Sequence, residues 1–159
     1  LLKARGIKAR YVIVGEGPMR ESILQKISEC DLNVETSLTG YREDIPEVLR
    51  ALDVLTIPST GHEGIPQIGL QALACGTSVV GSDAGGIPEI IQPGETGRIV
   101  KTSDAGQLAD AIETSLMDKE ESLRMAANGR QLVEYSHGVG HMLNRLEHIY
   151  AGYVGGASQ

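Results

Sequence analysis

Glu63 stands on a loop of small and polar residues, Ser59 to Gly64, that follows the apolar run Val54–Leu55–Thr56–Ile57 and its stop at Pro58. Pro66 fits the first turn of a following helix, where its missing N–H costs nothing. A strand that feeds a glycine-containing loop and then a helix start makes an anion site, because free backbone N–H groups and the helix dipole point the same way. An acid beside such a site repels a phosphate, so Glu63 is expected on neutral hydroxyls next to one. Gly64 and the amides of Ile65 and Gln67 can approach a ligand, and Ser59 and Thr60 offer hydroxyls to a phosphate. Gln71 follows Pro66 by five residues, roughly 7 Å along a helix from its start. Tyr41 and Arg42 follow a strand that ends at Gly40, at the carboxyl edge where open α/β sheets bind ligands. Each residue taken alone also has a plain reading. Glu63 reads as a solvated loop carboxylate, Gln71 as a helix-face side chain, and the others as ordinary turns.

Other chemistries are excluded by what is missing from the spacing. No Ser-His-Asp arrangement and no Asp-x-Asp metal motif can be read. His62 has no companion ligand, and the i,i+4 pair His137 and His141 lacks a third, so no metal is expected. Gly15 and Gly17 suggest a dinucleotide fingerprint, but position 20 is Arg and a tight strand-to-helix turn is the favoured reading. Gly85–Gly86 serves either to bring amides near a ligand or to make a turn that needs positive φ. A net charge of -7 argues against nucleic acid, and with no Trp or Phe the chain lacks base-stacking platforms. No apolar run approaches a membrane span and no signal-peptide pattern is seen. Cys30 and Cys75 are isolated, which suggests reduced thiols and a cytoplasmic location.

The elements that position these residues alternate. At 159 residues the chain is expected to be one domain. Leu1 to Gly6 reads as the end of a helix, Tyr11 to Val14 as a buried strand, and Pro18 opens a helix with Ile23, Leu24 and Ile27 on one face. Val34 to Leu38 alternates like a strand, Ile45 to Leu52 is a short helix, and Val54 to Ile57 a buried strand. The helix after Pro66 ends at Ala74 or Cys75, with Gly76 as its stop, before a strand at Ser78 to Val80. A short helix from Pro88 and a strand at Arg98 to Val100 follow. Asp104 and Gln107 read as a capping box for a helix with Leu108, Ile112 and Leu116 as its ridge. Two more helices are expected, one with Leu123, Ala127 and Val133, the other with an apolar stripe from Val139 to Tyr153. Short strands alternating with helices indicate a parallel, Rossmann-like sheet wrapped on both faces.

The central stretch resembles the donor-site motif of the family 4 retaining glycosyltransferases. Pro58–Ser59, Glu63–Gly64, Ala72–Leu73–Ala74–Cys75–Gly76 and Val79–Val80 match in order and spacing. The likeness continues through Val14–Gly15–Glu16–Gly17–Pro18, Asp53–Val54 and Gly85–Gly86–Ile87–Pro88–Glu89 to Gly97. It implies the C-terminal, nucleotide-sugar-binding half of a GT-B enzyme that needs no metal or cofactor, with a nucleoside diphosphate sugar as donor. In that family the counterpart of Glu63 contacts donor-sugar hydroxyls, loop amides hold sugar and phosphate, and the counterpart of Gln71 is a Glu that holds ribose. Tyr41 and Arg42 resemble the nucleobase loop by position. Pro66 stands where the family usually has Gly, which removes one amide. The resemblance also implies a first strand with a basic loop ahead of Leu1, and an acceptor domain before that, through which any membrane contact would run. Without that domain the last helix is expected to be exposed or used in self-association. Without the first strand, Tyr11–Val14 and Val54–Ile57 are expected to close against each other or to pair with another chain. The tone of Glu63–Gly64–Ile65–Pro66–Gln67 resembles transferases of surface polysaccharide or glycolipid assembly. A nucleotide-sugar epimerase of the same architecture and a non-catalytic nucleotide-sugar-binding module are the alternatives.

Overall fold

The computed structural model describes residues 1–61 and 63–155. His62 lies outside the described residues. The chain divides into two compact units, Leu1–Val48 and Leu49–Gln159.

In the first unit a 3-10 turn, Lys3–Arg5, is closed by Gly6, whose φ of 75° and amide bond to the Lys3 carbonyl make the expected helix stop. Strand β1 (Tyr11–Val14), helix α1 (Arg20–Glu29) and strand β2 (Thr36–Gly40) follow. β1 and β2 are parallel, running from Tyr11 opposite Thr36 to Val14 opposite Gly40. Ile23 and Ile27 of α1 are half-buried while Leu24 is exposed. β2 begins two residues later than the alternation of Val34 to Leu38 suggests. Asp31 takes a φ of 52° and the Thr36 amide donates to Leu32 at 3.0 Å, which keeps 32–35 in a turn with Val34 in solvent.

Helix α2 (Ile45–Ala51) carries the division between the units. The second unit then runs β3 (Val54–Ile57), α3 (Gln67–Cys75), β4 (Ser78–Ser82), α4 (Ile87–Ile90), β5 (Arg98–Val100), α5 (Ala105–Met117), α6 (Lys119–Ser136) and α7 (Val139–Gly155). Its sheet is parallel in the order β3-β4-β5. Every residue of β4 is buried, as a central parallel strand covered on both faces requires. Helices α3, α4, α5 and α6 all pack on it. The fold is therefore α/β with parallel strands and helices on both faces. Within the units the hydrogen-bonded strand sets are β1-β2 and β3-β4-β5.

Three local expectations change. Pro66 is the N-cap of α3, with an extended ψ of 114°, rather than its first helical residue. Asp104 does cap α5 by accepting the Gln107 amide at 2.9 Å, but Gln107 does not reciprocate. The Asp104 amide is already bonded to the Lys101 carbonyl, so the Gln107 side chain accepts from the Lys101 amide at 3.1 Å instead. Finally, α6 buries Ser122, Met125, Ala126 and Gly129 rather than Leu123 and Ala127, which are exposed. The helix lies so close to α3 that a Cβ on Gly129 would meet Leu73 Cδ2 at 2.5 Å, and only small side chains allow that approach. The stripe on α7 is exposed, including Leu143, Leu146 and Tyr150.

Candidate functional site

Strand β3 delivers the loop. Ile57 is buried and Pro58 ends the strand, because proline cannot continue the ladder. Helix α3 receives the loop and is pressed close to the sheet at Gly69, where a Cβ would sit 2.6 Å from Ile90 Cδ1 and 3.0 Å from Ile57 Cδ1. At its far end the Gly76 amide donates to Leu73 at 3.0 Å and that of Thr77 to Ala72 at 2.9 Å, satisfying the last carbonyls. The Thr77 hydroxyl then donates to the Leu49 carbonyl at 2.8 Å. So α3 is anchored at both ends, and its N-terminus is fixed beside the loop.

The Pro66 carbonyl accepts from Gly69 at 2.9 Å and Leu70 at 3.3 Å, which makes these the first turn of α3. The amides of Gln67 and Ile68 precede that turn, at the positive end of the helix dipole. Pro66 itself is buried and supplies no N–H. Gln67, Ile65, Gly64 and Thr60 are exposed around this end, and Gln71 is exposed one helical turn further on.

Glu63 is half-buried and is held from two sides. The Ser59 hydroxyl donates to its Oε2 at 2.8 Å, and its carbonyl accepts the Gly86 amide at 3.0 Å. The Ser59 hydroxyl thus spends its proton on the Glu63 carboxylate here. Gly86 likewise uses its amide on the protein chain, and Gly85 beside it takes a φ of 54°. The glycine pair works here as a turn and a close approach, with its second amide already bonded.

The segment after β4 is braced in turn. Asp83 accepts both the amide and the hydroxyl of Thr102 at 2.6 Å each, while its own amide donates to Val100 at 2.9 Å. The Thr102 hydroxyl, then its amide, hold the Asp83 carboxyl below the ordinary aspartate range. A cleft of about 180 Å³ lies at this edge, lined by Pro58, Ser82, Val100, Lys101, Ser103 and Asp104 among others. Ser82 was not singled out from the sequence, although a serine closing the apolar run Val79–Val80 is the signal that marks it. Its hydroxyl donates to the Ser59 carbonyl at 2.6 Å.

Tyr41 and Arg42 belong to the first unit, just past β2. Tyr41 is 71% exposed. Arg42 Nε donates to Asp44 Oδ1 at 2.8 Å and its Nη2 to Oδ2, a pairing that lowers the Asp44 pKa and raises that of Arg42. Among the described residues no group of His, Cys, Asp and Glu could hold a metal ion, and no disulfide joins Cys30 and Cys75. No helix among them is long and apolar enough to cross a membrane.

Comparison with known proteins gives this arrangement a context. The family model described as "Glycosyl transferases group 1" matches residues 1–132. The chain is 29% identical over 144 residues to N-acetyl-alpha-D-glucosaminyl L-malate synthase of Bacillus anthracis, covering 91% of this chain and 38% of that protein. It is 30% identical over 133 residues to the GDP-mannose-dependent alpha-(1-6)-phosphatidylinositol monomannoside mannosyltransferase of Mycobacterium tuberculosis, covering 79% of this chain and 34% of that protein. Among solved structures, the C-terminal domain of a glycosyl transferase group 1 family protein (LpcC) from Francisella tularensis is similar with a TM-score of 0.75 at 28% identity, over 87% of this chain and 74% of that one. The chain thus spans little more than a third of the length of the curated relatives it matches.

Proposed function

The chain belongs to the glycosyl transferases of group 1, and from that premise we propose that it is the donor-binding, C-terminal part of a retaining, family 4 enzyme of the GT-B kind. Such an enzyme moves a sugar from a nucleoside diphosphate sugar to an acceptor, and glycolipid or surface polysaccharide assembly is the setting we favour. The observation that carries the reading is the placement of Glu63. Its carboxylate is fixed by Ser59 on the loop that leads into the N-terminus of α3.

Charge grows on the diphosphate as it departs. The amides of Gln67 and Ile68 and the dipole of α3 stabilise that charge without having to reorganise. Glu63 accepts from hydroxyls of the donor sugar. The family's second acid is Gln71 here, which meets the ribose. Thr60, Gly64 and Ile65 complete the loop against sugar and phosphate. The roles of Tyr41 and Arg42 toward the nucleobase rest on the resemblance alone. The mannosyltransferase relative, named for its dependence on GDP-mannose, supports a nucleotide-sugar donor. The whole chain, both units together, is read as one donor domain, with the acceptor held by a separate N-terminal domain. The cytoplasmic location is proposed from the cysteine usage.

The test uses the protein that carries this chain together with the purified chain alone, each supplied with labelled UDP- and GDP-sugars. The larger protein should transfer sugar with retention of anomeric configuration, read by NMR of the product. The 159-residue chain alone should bind nucleotide weakly and transfer nothing. An altered sugar formed from donor without acceptor would make it an epimerase. Nucleotide binding without either reaction would make it a binding module. Turnover by the chain alone would overturn the division of labour.

A further inference from the structure

We propose that Ser82 is a positioning residue for Glu63, acting through Ser59; this rests on the donor-site reading above. Ser82 is the last residue of β4 and is 2% exposed. A buried hydroxyl in an apolar strand is unfavourable unless it is hydrogen-bonded. Its proton goes to the Ser59 carbonyl at 2.6 Å, with the Ile57 carbonyl further off at 3.4 Å. The side chain of the same Ser59 holds Glu63 Oε2 at 2.8 Å. The end of β4 thereby fixes the main chain of Ser59, and Ser59 aims the Glu63 carboxylate. The β4–α4 connection grips the loop a second time, through the Gly86 amide on the Glu63 carbonyl.

These two ties do different things. The Gly86 bond sets where the Glu63 backbone lies. The Ser82–Ser59–Glu63 relay sets the direction of the carboxylate, which is the part that meets the sugar. With Ala at position 82 the Ser59 carbonyl loses its partner and the Ser59 hydroxyl is free to turn away. Binding of a bare nucleoside diphosphate does not use the Glu63 carboxylate and should respond to this change less than sugar transfer does.

Ser82→Ala in the protein that carries this chain should lower the kcat of sugar transfer roughly tenfold, because small misplacements of an orienting group are costly. Affinity for UDP and GDP should fall by less than kcat does, because the start of α3 keeps its place while the loop before it loosens. Combined with Ser59→Ala, the loss should be no larger than the greater single loss, since both changes cut one relay. Ser82→Thr keeps the hydroxyl and should restore transfer. In the 159-residue chain, Ser82→Ala should speed amide exchange across 58–66 while β4 and the body of α3 keep their protection. Unchanged kcat, or losses that multiply in the double variant, would overturn the proposal, as would unaltered exchange in the loop. If Ser82→Ala does not fold, Ser59→Ala alone must reproduce the selective loss of kcat, or the relay is refuted. A parent protein that binds no nucleoside diphosphate sugar removes the donor reading instead, and the exchange data still decide whether Ser82 holds the Glu63 loop.

Discussion

The amide of Gly86 donates to the carbonyl of Glu63 at 3.0 Å, and a Cβ on the neighbouring Gly85 would lie 1.9 Å from that same oxygen. The loop that bears the candidate carboxylate and the turn after β4 are thus in direct main-chain contact.

Gly85 and Gly76 separate two reasons for glycine. Both have positive φ, 54° and 75°, but nothing lies within 4 Å of a Cβ at Gly76. Gly76→Ala should cost about 1 kcal/mol, the strain of a left-handed residue. Gly85→Ala adds a backbone clash that no side-chain rotation relieves, and should cost more than about 2 kcal/mol as the packed loop is displaced. Urea denaturation of both variants checks this. Equal costs would mean that the loop yields freely and that the contact does not hold Glu63.

Leu73 and Leu146 mark the two extremes of apolar burial. Leu73 is fully buried between α3 and α6, whereas Leu146 is 38% exposed on α7. Leu73→Ala should destabilise the chain by about 3 kcal/mol, the usual cost of a core cavity. Leu146→Ala should change stability by less than about 0.5 kcal/mol, as an exposed site does. A large cost at Leu146 would show that the α7 stripe is packed in solution, and sedimentation at several concentrations would then reveal self-association.

What the sequence revealed follows from how the signals arise. Strong local chemistry was legible. Gly6 and Gly76 stop their turns, Asp104 caps α5, and the β-branched runs at β1, β3 and β4 are strands. The exposed stripe of α7 was also read correctly. Features set by close approach were not. The buried face of α6 rests on Ser122, Ala126 and Gly129, whose hydropathy is weak and whose value is their size. The start of β2 was missed because Asp31, a non-glycine residue, turns left-handed. The loop between Pro58 and Pro66 was readable as a candidate site because its residue types are specific. Its support was not, since Ser82 and Gly86 meet it only through the β3–β4 pairing, and a long-range hydrogen bond leaves no local pattern.

Asp83 gives the acid limb of stability a testable residue. Its carboxyl lies below its ordinary value of 3.8 because Thr102 donates to its charged form from both hydroxyl and amide. A depressed folded-state pKa means that the unfolded chain binds the proton more readily. The stabilisation is therefore present above the unfolded value and is lost as pH falls below it toward the folded one. Asp83→Asn should be less stable than the parent at neutral pH, with the gap narrowing as pH drops below the usual aspartate range. Denaturation curves from pH 6 down to about pH 3, spanning the ordinary aspartate value, check the sign. A gap that widens in acid would show that the Thr102 bonds do not favour the carboxylate.

Gln71 tests the donor site itself. It is exposed on α3, eight residues after Glu63. A carboxylate at this position accepts hydrogen bonds from both ribose hydroxyls, and bonds to charged groups are the stronger kind. The amide of Gln offers one acceptor oxygen and turns its NH₂ to the other hydroxyl, which accepts in its turn. The difference is on the order of 1 kcal/mol, several-fold in affinity. In the protein that carries this chain, Gln71→Glu should therefore tighten nucleoside diphosphate binding modestly, while Gln71→Ala weakens it. Glu63→Ala should instead act mainly on sugar transfer, because its partner is the sugar and not the ribose. Titration calorimetry with the nucleotide alone and with the intact donor separates these effects. If both Gln71 variants bind the nucleotide like the parent, the residue is only part of a helix face and the assignment of ribose to position 71 falls.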